Sequence, residues 1–77
     1  MIEIYGTDSC TFCDRAKDLL QMYDKDYTYI NVTETEDTTA AFFKKFPEAR
    51  TVPQIALTDG HYIGGYTELK KWLNHTE

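Results

Sequence analysis

The stretch Ile2-Glu3-Ile4-Tyr5-Gly6-Thr7-Asp8-Ser9-Cys10-Thr11-Phe12-Cys13 carries a change from one hydrophobic period to another. Residues 2–5 alternate, with Ile2 and Ile4 on one face, which is the pattern of a half-buried strand. Residues 6–9 are a loop. From Thr11 onward Phe12, Ala16, Leu19, Leu20 and Tyr23 recur at helical spacing, while Asp14, Arg15, Lys17 and Asp18 lie elsewhere on the helix. Residues 24–26 end that helix, and residues 27–32, rich in β-branched and aromatic side chains, read as a second strand. Strand, helix, strand implies a parallel pair with a right-handed crossover.

Beyond this unit, Thr33 and Glu36 have capping-box spacing, so a second helix is expected, with Ala41, Phe42, Phe43 and Phe46 forming a broad apolar face. Pro47 stops it. Residues 54–57 and 61–63 read as short strands joined through Asp59-Gly60, a dipeptide that suits a type I′ turn. Gly64-Gly65 breaks the last strand, and a third helix carries Leu69, Trp72 and Leu73 at i, i+3, i+4. The order β-α-β-α-β-β-α predicts an α/β fold, with one mixed four-stranded sheet flanked by three helices. That is a thioredoxin-like architecture.

The chain has 77 residues, which suits a single domain over residues 1–77. At 42% hydrophobic and 27% charged it has the composition of a folded domain rather than a disordered one. No apolar run approaches the roughly 20 residues of a membrane span. The first residues lack the basic start and apolar stretch of a signal peptide, so a cytoplasmic location is expected. The net charge of −5 argues against nucleic acid and against anionic membranes as partners. Lys44 and Lys45 are only a local pair.

Two cysteines, Cys10 and Cys13, stand three positions apart at the expected start of the first helix. Positions i and i+3 share a helix face, so their sulfurs can meet. A helix N-terminus presents unpaired N–H groups and partial positive charge, both of which favour thiolate over thiol. Cys10 is expected to be the more exposed and better activated, hence the attacking nucleophile, with Cys13 as the resolving thiol. Three other readings stand beside this one. A structural bridge over so small a loop offers little entropic stabilisation. Half of a zinc site would need further ligands, and His61 and His75 lack ligand-pair spacing. Both cysteines can also be ordinary buried residues. Cys-x-x-Cys near a βαβ pattern favours redox chemistry.

Three stretches, in order, resemble the glutaredoxin family over essentially the whole chain. They are Tyr5 with Cys10-Thr11-Phe12-Cys13, then Arg50-Thr51-Val52-Pro53-Gln54-Ile55, then Ile63-Gly64-Gly65-Tyr66-Thr67-Glu68-Leu69. The short length is like compact bacterial and phage members. The resemblance implies a glutathione-dependent thiol–disulfide oxidoreductase that acts on protein disulfides or glutathione mixed disulfides. It implies a cis bond before Pro53, with the main chain of Val52 facing the thiols. It also implies that the backbone around Gly65 and Tyr66, with the Thr67 hydroxyl, binds the γ-glutamyl carboxylate of glutathione. Phe12 would pack beside the tripeptide, and Arg50 and Thr51 would contact the peptide or its glycine carboxylate. No metal or tightly bound cofactor is implied, and a monomer is expected. Two variants of the reading remain. Some short relatives take electrons from thioredoxin reductase and serve ribonucleotide reductase. Others, mostly with a single active-site cysteine, hold an iron–sulfur cluster between two copies.

The chain departs from the family pattern at three places. Thr11 stands where many members have proline, and Phe12 where many have an aromatic with a hydroxyl. Thr7, followed by Asp8, stands where members often have a basic residue. A missing cation and a nearby carboxylate both raise a thiol pKa. The Cys10 thiol should therefore titrate below the roughly 8.5 of free cysteine, through the helix terminus, but above basic-flanked relatives. Thiolate absorbance against pH measures this, and a value at or above free cysteine would remove helix activation from the account.

Overall fold

The computed structural model describes residues 1–49 and 51–76. Strand β1 (Ile2–Gly6) is followed by helix α1 (Thr11–Met22), strand β2 (Tyr27–Asn31), helix α2 (Glu36–Lys45), strands β3 (Gln54–Leu57) and β4 (Tyr62–Gly64), and helix α3 (Tyr66–Thr76). The sheet order is β2-β1-β3-β4. β1 pairs in parallel with β2, with Ile4 beside Tyr29, and antiparallel with β3, with Ile4 beside Ile55. β3 and β4 are antiparallel. This is the thioredoxin-like architecture expected from the element order.

The two faces of β1 divide the molecule, because successive strand residues point opposite ways. Ile2 and Ile4 join Ala16, Leu19 and Leu20 of α1, Ile55 of β3, and Leu69 and Leu73 of α3 in the main core. Glu3 and Tyr5 face α2. There the Tyr5 ring meets Phe42 and Phe46 at 6.1 and 5.1 Å, and Lys45 Nζ donates to both Glu3 Oε1 and Tyr5 Oη at 3.1 Å.

Helix α1 ends in a Schellman motif. The Lys25 N–H reaches the Leu20 carbonyl and the Asp24 N–H the Gln21 carbonyl, with Asp24 at φ 56°. A short polar side chain tolerates that left-handed conformation better than most.

Four expectations need correction. The α2 capping box uses Thr35 and Thr38, not Thr33 and Glu36. Thr33 is spent elsewhere: its N–H and hydroxyl both donate to Asn31 Oδ1, closing the turn after β2. The apolar face of α2 is narrow, because only Phe42 is fully buried while Ala41 is exposed and Phe43 is 50% exposed. Phe12 is 53% exposed and lies outside the core, where Cys13 takes the inward position one residue later. The β3–β4 turn is not type I′, since Gly60 has positive φ and Asp59 does not. The Gly60 N–H closes a turn on the Leu57 carbonyl, and the Leu57 N–H bonds the His61 carbonyl. That is a three-residue loop with glycine at its left-handed position.

Gly6 continues the inward face of β1 beneath the start of α1. A Cβ on it would stand 2.5 Å from both Cys13 Sγ and Tyr29 Oη. Gly6→Ala should therefore cost about 1–3 kcal/mol of stability through overpacking, read as a lower urea midpoint.

The Glu3–Tyr5–Lys45 cluster yields a pH dependence. Burial raises the Glu3 carboxyl, but hydrogen bonds from Lys45 and Tyr5 and the Lys45 charge outweigh it, leaving it below its ordinary 4.5. Hydrogen bonds to Tyr5 and Glu3 raise Lys45 above 10.5 against the opposing effect of burial. A depressed carboxyl contributes stability above 4.5 that is lost as pH falls through its folded value; a raised ammonium contributes stability below 10.5 that is lost as pH rises through its own. Lys45→Met should cost under about 1 kcal/mol at neutral pH, since the pair is solvent-screened. The difference from the parent should vanish towards both extremes in chemical melts across pH.

Candidate functional site

The loop after β1 delivers Cys10 to the start of α1 with an extended backbone (φ −110°, ψ 109°), as the N-cap residue. Its carbonyl accepts the Asp14 N–H at 3.1 Å and begins the helical ladder. Its Sγ accepts the Cys13 N–H, also at 3.1 Å. A sulfur thus occupies the position that a serine or aspartate oxygen takes in an ordinary cap, where positive potential from the helix terminus favours negative charge. Cys10 is half-buried and Cys13 fully buried. The two form a disulfide with a Cα separation of 5.1 Å.

A second segment approaches from the loop before β3. The Val52–Pro53 bond is cis, and the Val52 carbonyl lies 3.8 Å from Cys10 Sγ. Both features match the expectation drawn from the resemblance. Gln54 braces this loop. It is buried, donates through Nε2 to the Thr51 carbonyl at 2.8 Å, and accepts the Tyr62 hydroxyl through Oε1. Residue-by-residue reading missed Gln54 as a supporting group, although a polar residue inside an otherwise apolar strand was a usable signal. Thr51 is exposed, and Arg50 lies outside the described residues.

The third segment is the β4–α3 junction. A Cβ on Gly65 would sit 3.6 Å from the Pro53 carbonyl, so this junction packs beside the cis-proline loop. The Tyr66 ring meets Phe12 at 6.0 Å, and the Arg15 guanidinium lies 5.3 Å from the Phe12 centroid. Phe12, Val52, Pro53, Gly65 and Tyr66 are thereby brought round the disulfide, and Thr67 is exposed on the first turn of α3. The Gly65 N–H already has an anion: it donates to Glu68 Oε1 at 2.9 Å, the one half of a capping box that a glycine N-cap can form. The amides of Tyr66 and Thr67, at the first positions of the helix, have no intrahelical acceptor.

On the opposite side of the pair, the Tyr29 hydroxyl donates to the Thr7 carbonyl at 2.7 Å, and Asn31 Nδ2 donates to Asp8 Oδ1 at 2.9 Å. Two side chains of β2 therefore hold the loop before Cys10. Lys17 Nζ lies 4.3 Å from the Tyr29 ring centroid. Burial raises the Tyr29 phenol pKa; Lys17 opposes this, and Asp14 and Asp8 add to it. Neither Tyr29 nor Lys17 stood out in the sequence, because their link to the site runs across the sheet.

A groove of about 240 Å³ opens beside Val52 and Thr51, floored by Val32, Phe42 and Phe43. A larger one of about 590 Å³ lies between α2 and the β3–β4 hairpin, beyond Thr51. Neither is lined by Cys10 or Cys13. Among the described residues no helix is long and apolar enough to cross a membrane.

The chain matches the glutaredoxin family pattern over residues 2–63. It is 29% identical to a glutaredoxin of Enterobacteria phage T4 over an 86-residue alignment covering 95% of this chain and 99% of the phage protein. It is 34% identical to glutaredoxin 1 of Escherichia coli K12 over 76 residues, covering 91% and 88% respectively. Its fold is similar to that of a buckwheat glutaredoxin crystallised as a glutathione complex, with TM-score 0.78 and 23% identity over 97% of this chain and 69% of that one. A half-exposed sulfur bonded to a buried one at a helix N-terminus, beside a cis-proline, is a unit built for disulfide exchange, and the match covers most of the chain: this protein belongs to the glutaredoxin family and is a thiol–disulfide oxidoreductase with Cys10 and Cys13 as its disulfide pair.

Proposed function

We propose that the protein is a glutathione-dependent reductant of protein disulfides or glutathione mixed disulfides, with Cys10 as nucleophile and Cys13 as resolving thiol. The observation that carries this reading is the difference in access between the two sulfurs: Cys10 is half-buried at the helix cap, and Cys13 is fully buried. In the reducing direction the Cys10 thiolate attacks a target disulfide and expels one target thiolate. Cys13 then attacks Cys10 Sγ and expels the second, which leaves the Cys10–Cys13 disulfide. Two glutathione molecules reverse the process: the first forms a mixed disulfide with Cys10, and the second removes it as glutathione disulfide.

Several features suit glutathione as the reductant. The Val52 main chain beside Cys10 offers backbone pairing to an extended peptide. The free amides of Tyr66 and Thr67, with the Thr67 hydroxyl, suit a carboxylate at a helix N-terminus. The buckwheat protein of the same fold was crystallised with glutathione. Gly65 contributes close packing rather than an amide, because Glu68 occupies its N–H. Phe12 forms an exposed wall next to Tyr66, and Thr51 and Arg50 remain proposed contacts for the peptide's other end. A cytoplasmic disulfide protein such as ribonucleotide reductase is a fitting target.

The test is to oxidise the pure protein, mix it with reduced glutathione, and follow thiols and adducts by mass spectrometry. Thioredoxin reductase with NADPH runs in parallel. The expected outcome is rapid reduction by glutathione through an adduct on Cys10 that Cys10→Ser abolishes. Reduction by thioredoxin reductase alone would keep the thiol chemistry and remove the glutathione contacts at Val52 and Thr67.

A further inference from the structure

Cys13 poses an electrostatic problem that the helix cap does not solve. Its sulfur is fully buried. It must nevertheless carry negative charge twice: as leaving group when the disulfide is opened at Cys10, and as nucleophile when a mixed disulfide on Cys10 is resolved. A thiolate in apolar surroundings is disfavoured unless a donor reaches it. The cap amide of Cys13 points at Cys10 Sγ, so it serves the other sulfur.

The Tyr29 hydroxyl shares the space beneath Gly6 with Cys13. Cys13 Sγ and Tyr29 Oη flank the same point below Gly6, each 2.5 Å from where a Cβ there would lie. With the disulfide closed, Cys13 carries no charge and the hydroxyl donates to the Thr7 carbonyl. We propose that the Tyr29 hydroxyl turns from Thr7 to Cys13 when the disulfide opens, and is the hydrogen-bond donor that stabilises the buried Cys13 thiolate. The electron balance is simple. An incoming thiolate forms a bond to Cys10 Sγ, the S–S electron pair leaves on Cys13 Sγ, and Tyr29 keeps its proton while sharing it. A thiolate is a stronger acceptor than a carbonyl, so the exchange of partners is favourable only in the charged state.

The charged groups around the phenol are Lys17 and Asp14 on α1 and Asp8 in the loop before Cys10. Lys17 lies over the ring and pairs with Asp14 at 3.4 Å. The ammonium strengthens the phenol as a donor, and burial raises its pKa above the ordinary 10.0, which favours the protonated form. The inference rests on disulfide exchange alone and not on the choice of glutathione.

The test uses reduced full-length protein and one equivalent of dithiodipyridine in a stopped-flow instrument, recording thiopyridone release from mildly acidic to alkaline pH. Attack by Cys10 releases the first thiopyridone, and resolution by Cys13 releases the second. Cys13→Ser, which keeps only the first, assigns the phases. Tyr29→Phe keeps the ring under Lys17 and removes only the hydroxyl. It should slow the second phase about tenfold at neutral pH and move its pH midpoint upward, with the first phase unchanged. An unchanged second phase overturns the proposal. Equal slowing of both phases also overturns it, because Tyr29 would then act only by holding the Thr7 loop.

Discussion

The close contact between the end of β1 and the first turn of α1 is the constraint on which the rest of the site depends. Gly6 has no side chain, and the space that a methyl group would fill is taken by Cys13 Sγ and Tyr29 Oη. That approach buries Cys13 against the sheet. The helix then starts with Cys10 at its cap, half-exposed and within bonding distance of its partner. Asymmetry between two chemically identical side chains follows from where a strand stops and a helix begins.

The central position of β1 and β3 in the sheet turns this contact into a site. β1 lies between β2 and β3, and β3 between β1 and β4. The loops at one end of these strands therefore converge. The loop leaving β1 carries Cys10, the loop entering β3 carries Val52 and Pro53, and the junction leaving β4 carries Gly65 and Tyr66. Buried or half-buried polar groups hold the loops rather than the sulfurs. Gln54 fixes the Thr51 carbonyl, Tyr29 the Thr7 carbonyl, and Asn31 the Asp8 carboxylate. The first two satisfy part-buried carbonyls that would be costly to leave unpaired, while the Asn31–Asp8 bond is exposed and serves only to position the loop.

The electrostatics of the site are local. The chain is acidic overall, and Thr7 and Asp8 flank the pair in place of a cation. Positive potential comes from helix termini, α1 at Cys10 and α3 at Tyr66 and Thr67, and from Arg15 over the Phe12 ring and Lys17 over the Tyr29 ring. Glu68 takes up the Gly65 amide in the second of these. This makes the third segment narrower as an anion site than its Gly-Gly sequence alone implies.

The seven elements, their order and the reactive pair were legible in the sequence because each rests on a local pattern: alternation in residues 2–5, helical spacing through Ala16, Leu19 and Leu20, and two cysteines at i and i+3. Side chains settled by competition between neighbours were not legible. Thr33 lost the cap to Thr35 because Asn31 claimed it, and Phe12 turned outward because Cys13 filled the inward position. The Asp59-Gly60 turn took three residues because only Gly60 adopted positive φ. Sequence by itself determined the fold class and the place of the pair at a helix start, since periodicity and spacing are properties of contiguous residues, while the redox reading of the pair took the resemblance of three separate stretches to one family. Tertiary structure alone decided that Tyr29 belongs to the site, since it reaches Thr7 across a strand pairing that no local pattern records, and only the packed loops showed what the polar Gln54 of β3 holds.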